Sequence, residues 1–179
     1  GKLLPLPAED GALGGYLFGT GATEGRPAFV AGLAAAALPA GHYRLAGELG
    51  DPTLASIAFR LGAYRFDRYR EAKPIPALQI PEDADSNEVE RQVAAASLAR
   101  DLINTPSSDL GPDQLHAEIE RFASERGMRF RAIVGDDLLS QNFPMIHAVG
   151  RASAQPPRLL DLSWGKESDP KVTLVDRKS

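Results

Sequence analysis

Apolar positions recur at helical spacing in several long stretches of the chain and alternate in shorter ones. Between Asp85 and Ile103 the residues Val89, Val93, Ala96, Leu98, Leu102 and Ile103 predict an amphipathic helix. Asp85-Ser86-Asn87-Glu88 gives it a capping-box-like start. A second helix is announced by Gly111-Pro112-Asp113. It buries Leu115, Ile119 and Phe122, exposes Glu118, Glu120, Arg121 and Glu125, and stops at Gly127. Upstream, helices are predicted over Ala28 to Leu38, ending before Pro39, and over Asp51 to Tyr64, where Asp51 caps and Pro52 takes the first turn. Strands are predicted at Gly15 to Gly19, His42 to Leu45, Met128 to Val134, Arg158 to Trp164 and Lys171 to Val175. Short helices are expected near Asp137 to Gln141 and around Met145 to Arg151. Helix alternating with strand at this spacing argues for an α/β fold with a mostly parallel, helix-covered sheet.

The prolines and acidic residues of Lys73 to Asp85 (KPIPALQIPEDAD) interrupt this pattern and divide the chain into two textures. We place the boundary near Asp83, giving domains over residues 1–83 and 84–179. The first region is rich in Gly and Ala; the second carries the sharper helical signals. Hydrophobic residues make up 43% and charged residues 25% of the chain, an ordinary globular balance that favours a folded core over disorder. The 20 basic and 24 acidic residues leave a net charge of -4, so no global positive field draws nucleic acid or anionic lipid. Cysteine is absent, which removes disulfides, thiolate nucleophiles and cysteine zinc sites and fits a reducing, cytoplasmic setting. The longest apolar runs fall far short of the roughly 20 residues a membrane span needs, and no signal peptide is indicated. The start on Gly1 rather than methionine points to a fragment.

Candidate chemistry is sparse. The loop Gly19-Thr20-Gly21-Ala22-Thr23-Glu24-Gly25 could turn backbone N–H groups toward a phosphate. Its last glycine falls one place late for a dinucleotide fingerprint, however, and Glu24 would repel phosphate, so a structural turn is the expectation. Asp136 and Asp137 after Val134-Gly135 are expected to cap the next helix. His42, His116 and His147 lack the spacing of a two-histidine zinc helix, and His116 and His147 read as structural residues. Ser107 and Ser108 stand in a Pro-flanked turn rather than a nucleophile elbow. Arg60, Arg65, Arg68 and Arg70 alternate with Tyr64, Phe66 and Tyr69. In an acidic chain the aromatics are expected to pack inward while the charges pair with carboxylates such as Asp67 and Glu71.

The run Ser97-Leu98-Ala99-Arg100-Asp101-Leu102-Ile103-Asn104-Thr105-Pro106-Ser107-Ser108-Asp109-Leu110-Gly111-Pro112 resembles the leucyl aminopeptidase family. In that family a helix ends in a similar R-D-L-x-N-T-P segment and another begins near Gly-Pro. The resemblance continues in order through Val134 to Leu139, Met145 to Ser153, Pro157 to Leu160 and Lys171 to Val175. It implies a small macro-like amino-terminal α/β domain followed by the first helices and strands of a mostly parallel α/β/α catalytic domain. It also implies a cytoplasmic, homohexameric exopeptidase acting on peptides, with two divalent metal ions, zinc or manganese, in the complete enzyme. Family ligands begin in a glycine-rich segment directly after the strand matched by Lys171 to Val175. Here the chain reads Asp176-Arg177-Lys178-Ser179, with Lys178 out of register. No catalytic, cofactor-binding or metal-binding residue is therefore assigned, and the expectation is a truncated, metal-free chain that is inactive alone. The alternatives are a macro-like module binding a nucleotide or ADP-ribose, and a structural assembly subunit.

Overall fold

A computed structural model describes residues 1–22, 24–48 and 50–175. They form two compact units, Gly1–Asn104 and Thr105–Ser179, within an α/β fold.

The first unit opens with a hairpin of β1 (Leu3–Pro7) and β2 (Leu13–Phe18), antiparallel with Leu3 opposite Phe18. Its turn is closed by the Ala8 amide on the Ala12 carbonyl at 2.8 Å and by the Asp10 carboxylate, which accepts the Ala12 amide at 3.0 Å. The sequence reading missed β1 because Pro5 and Pro7 lack the N–H that a strand offers a neighbour. Proline in a sheet is confined to edges, and β1 pairs on one side only among the described residues. After the hairpin come α1 (Val30–Ala37), β3 (Gly41–Tyr43), α2 (Pro52–Ala63), β4 (Pro76–Leu78) and α3 (Ser86–Asn104). β3 and β4 pair in parallel, Gly41 with Pro76 and Tyr43 with Leu78, so β3, α2 and β4 form a crossover unit. The proline-rich stretch read as an interruption thus contains a strand.

Phe59 of α2, wholly buried, is the largest side chain of this unit's core. It lies among Ala35, Ala63, Leu38, Tyr43, Leu45 and Leu78, with the Tyr43 ring 6.5 Å away. α2 starts where its sequence says it should, since the Asp51 carboxylate accepts the Leu54 amide at 3.0 Å and Pro52 occupies the first turn. Asp51→Ala leaves that amide without its partner, and urea titration is expected to show a loss of about 1 kcal/mol.

α3 runs beside α2 and buries Val89 and Val93. The Asp85 carboxylate accepts the Glu88 amide at 3.0 Å, which is half of the predicted capping box. The other half does not form. The Asp85 amide donates to Thr53 Oγ1 at 2.9 Å, and the Glu88 carboxylate turns to Gln92 and Arg91, whose hydrogen bonds hold it below the usual carboxylate range. Ile103, expected on the apolar face, is 81% exposed, because the last turns of α3 direct Arg100, Asp101 and Asn104 instead toward the end of α2 at Leu61 and Tyr64.

In the second unit α4 (Pro112–Glu125) leads through Gly127 into β5 (Arg129–Val134), then α5 (Asp137–Ser140), α6 (Pro144–Gly150) and β6 (Arg158–Ser163). Gly127 takes φ +60, the left-handed turn that ends the helix. β5 and β6 pair antiparallel, Arg129 with Ser163 and Val134 with Arg158, an antiparallel pair beside helices in the α/β fold. Lys171 to Val175 is not a strand. A strand exists through its ladder, and this segment has no partner strand among the described residues; Val172, Leu174 and Val175 are 83 to 92% exposed. Asp176 to Ser179, including Lys178, lie outside the described residues.

Candidate functional site

The histidines fall into separate surroundings. His42 is exposed on β3. His116, on α4, lies 5.4 Å from the Phe130 ring, and its Nδ1 receives an Arg158 N–H at 3.0 Å. That contact leaves the other ring nitrogen facing Glu120 at 3.9 Å. Arg158 is nearly covered and also donates to Asp113 and to the Pro156 carbonyl, so this group ties the start of α4 to β6. His147 of α6 meets the Asp136 carboxylate at 3.2 Å. Asp136 was expected to cap α5, but no side-chain capping hydrogen bond forms there; its carboxylate faces His147 instead.

Ser107 and Ser108 are exposed in a turn closed by the Asp109 and Leu110 amides, both 2.9 Å from the Pro106 carbonyl. The arginine cluster keeps its charges nearer the backbone than the sequence implied. Arg65 donates to the Gly62 and Tyr64 carbonyls at 3.1 and 2.8 Å, Arg70 donates to the Phe66 carbonyl at 3.2 Å, and Arg60 pairs with Glu90 rather than with Asp67 or Glu71. These carbonyls belong to a chain leaving a helix, where backbone acceptors have lost their helical partners.

A cleft of about 1090 Å³ opens in the first unit, lined by the hairpin, the start of α1 and the segment from β3 to α2. Gly21 and Gly25 have φ +79 and +74, so the glycine loop beside it is a turn, as expected; Thr23 lies outside the described residues. The lining is largely leucine, alanine and glycine, with Arg26 and Arg44 set among Glu48 and Asp51. That mixture of charges gives no preference for a phosphate, so the nucleotide alternative gains nothing from the cleft.

Among the described residues no three His, Asp or Glu side chains gather as a metal site. The pairs His147–Asp136 and His116–Glu120 do not fit a two-metal centre, which needs several donors around each ion.

Comparison with known proteins matches two adjoining parts of one class, the M17 peptidases. Residues 1–81 match the M17 aminopeptidase N-terminal domain, and residues 97–177 match the catalytic domain of the cytosol aminopeptidase family. The chain belongs to the cytosol aminopeptidase family. Peptidase B of Enterobacter sp. is 34% identical over 133 residues, covering 72% of this chain and 29% of that protein. A probable cytosol aminopeptidase of Streptomyces avermitilis is 37% identical over 147 residues, covering 73% and 28%. Among solved structures, the cytosol aminopeptidase of Coxiella burnetii superposes with a TM-score of 0.83 at 34% identity, over 94% of this chain and 37% of that one. The bottromycin maturation enzyme BotP in complex with Mn gives 0.75 at 28% identity, over 93% and 40%. The chain therefore spans under a third of the length of these two sequence relatives.

Proposed function

We propose that these residues are the amino-terminal part of a metal-dependent leucyl-type aminopeptidase that removes amino-terminal residues from peptides. The supporting observation is the order of the two family matches, N-terminal domain and then catalytic domain, along one chain that superposes on a cytosol aminopeptidase over 94% of its length. In this reading the metals are zinc or manganese, and their ligands come from residues other than those described. A manganese-bound relative supports the metal class. In this reading the domain boundary falls near Asp83, which the gap between the two matched segments supports. The enzyme acts in the cytoplasm as a homohexamer. The names of the relatives support the compartment, and no described helix is long and apolar enough to cross a membrane.

The reading predicts a requirement for a free amino terminus. The complete enzyme is expected to hydrolyse leucinamide and to leave N-acetyl-leucinamide intact, with ammonia release as the readout. Equal hydrolysis of the two would sink it.

A further inference from the structure

The family matches and the packing divide the chain at different places. The catalytic-domain match begins at residue 97, inside α3, yet the whole of α3 belongs to the compact unit that ends at Asn104. The difference is concentrated in the last two turns of α3, in Arg100, Asp101 and Asn104, polar residues of the R-D-L-x-N segment. Each of them meets the segment where α2 ends. The Arg100 guanidinium donates to the Leu61 carbonyl at 2.7 Å and lies 5.2 Å from the centre of the Tyr64 ring. The Tyr64 hydroxyl donates to Asp101 at 2.6 Å and accepts from the Asn104 amide at 3.3 Å. Leu61 and Tyr64 lie within the N-terminal-domain match.

We propose that Tyr64 is a positioning residue. It latches the first residues of the catalytic-domain segment to the N-terminal unit and fixes the last turn of α3, where the chain passes on to Thr105-Pro106. The inference rests on family membership and on these contacts, and is independent of the catalytic reading. A tyrosine suits the role because its ring stacks under one cation while its hydroxyl both donates and accepts. The latch also carries a titration signature. Burial first, and then the hydrogen bond to Asp101, raise the Tyr64 phenol above its ordinary value, against smaller opposing effects of Asn104 and Arg100. Neutral phenol is the form that donates. The stabilisation is therefore complete below the ordinary tyrosine range, about pH 10, and is lost as pH rises through the higher folded value.

Amide hydrogen exchange on the full chain tests the latch. Tyr64→Phe keeps the ring over Arg100 and removes the hydroxyl. The amides of Asp101 to Asn104 are expected to exchange about tenfold faster, since the hydrogen bonds to Asp101 and from Asn104 are both lost, with α1 and α2 unchanged. Asp101→Asn keeps an acceptor, so it should preserve protection while lowering the pH at which Tyr64 ionises, read residue by residue from the nuclear magnetic resonance shift of the Tyr64 Cζ, since four tyrosines share the chain. Asp101→Ala should both speed exchange and lower that pH. Unchanged exchange in Tyr64→Phe would overturn the latch, as would a Tyr64 titration that ignores Asp101→Asn. A uniform rise in exchange across the unit would show general packing instead, and would overturn it too.

Discussion

Replacing Gly62 by alanine is expected to destabilise the first unit by about 3 kcal/mol or more, the upper range of overpacking penalties. α1 and α2 cross with glycine against glycine. A methyl group at Gly62 would sit 2.6 Å from both the carbonyl carbon and the Cα of Gly32, and one at Gly32 would sit 2.6 Å from the Ala58 carbonyl oxygen. Those are backbone atoms, so no side chain can rotate out of the way. Alanine would ordinarily favour a helix over glycine by about 1 kcal/mol, and the clash outweighs that gain. The helices must move apart, which loosens the packing around Ala35, Phe59 and Ala63. Urea titration followed by far-ultraviolet circular dichroism measures the loss. A Gly62→Ala protein as stable as the parent would show that the helices do not approach this closely.

Leu138→Ala is the corresponding test in the second unit, with an expected cost of about 2 to 5 kcal/mol. Few apolar residues there are deeply covered: Leu110, Ala123, Ile133 and Leu138, of which Leu138 is the largest wholly buried side chain. It lies on α5, a helix of four residues, far too short to persist without packing. The Leu138 carbonyl accepts the Phe143 amide at 2.7 Å, so loss of the side chain also frees the entry to α6. Faster hydrogen exchange at the β5 and β6 amides, with a lower urea midpoint, is the expected result. A change below about 1 kcal/mol would mean that the site is not packed as described.

The helices were legible because their signals are local. Asp51-Pro52, Asp85 to Glu88 and Gly111-Pro112 each combine a capping or first-turn residue with a periodic apolar face, and the helices begin there within a residue or two. Strands were read less well because a strand depends on a distant partner. LLPLP gives no sign that Leu13 to Phe18 will fold against it, and Pro76 to Leu78 becomes a strand only beside β3. The converse holds for Lys171 to Val175, whose alternation reads as a strand while the described residues offer it no ladder. Side-chain partners followed the same rule. The Asp51 cap is set three residues away, whereas the choice of His147 by Asp136, or of the Gly62 and Tyr64 carbonyls by Arg65, is made by packing. The R-D-L-x-N segment identified the family from sequence. Its contacts with Tyr64 required the fold, since they join residues 37 and 40 positions apart.

We propose that these residues form the scaffold leading to an aminopeptidase site whose metal ligands lie outside the described residues. It is tested most directly by assaying leucine release from leucyl peptides for two proteins, the 179-residue chain and the product of the complete reading frame. Metal-dependent release by the complete product is expected, abolished by a chelator and restored by manganese or zinc, with none from the 179 residues alone. Metal-dependent release by the 179-residue chain, or none by the complete product under metal-replete conditions, would contradict it.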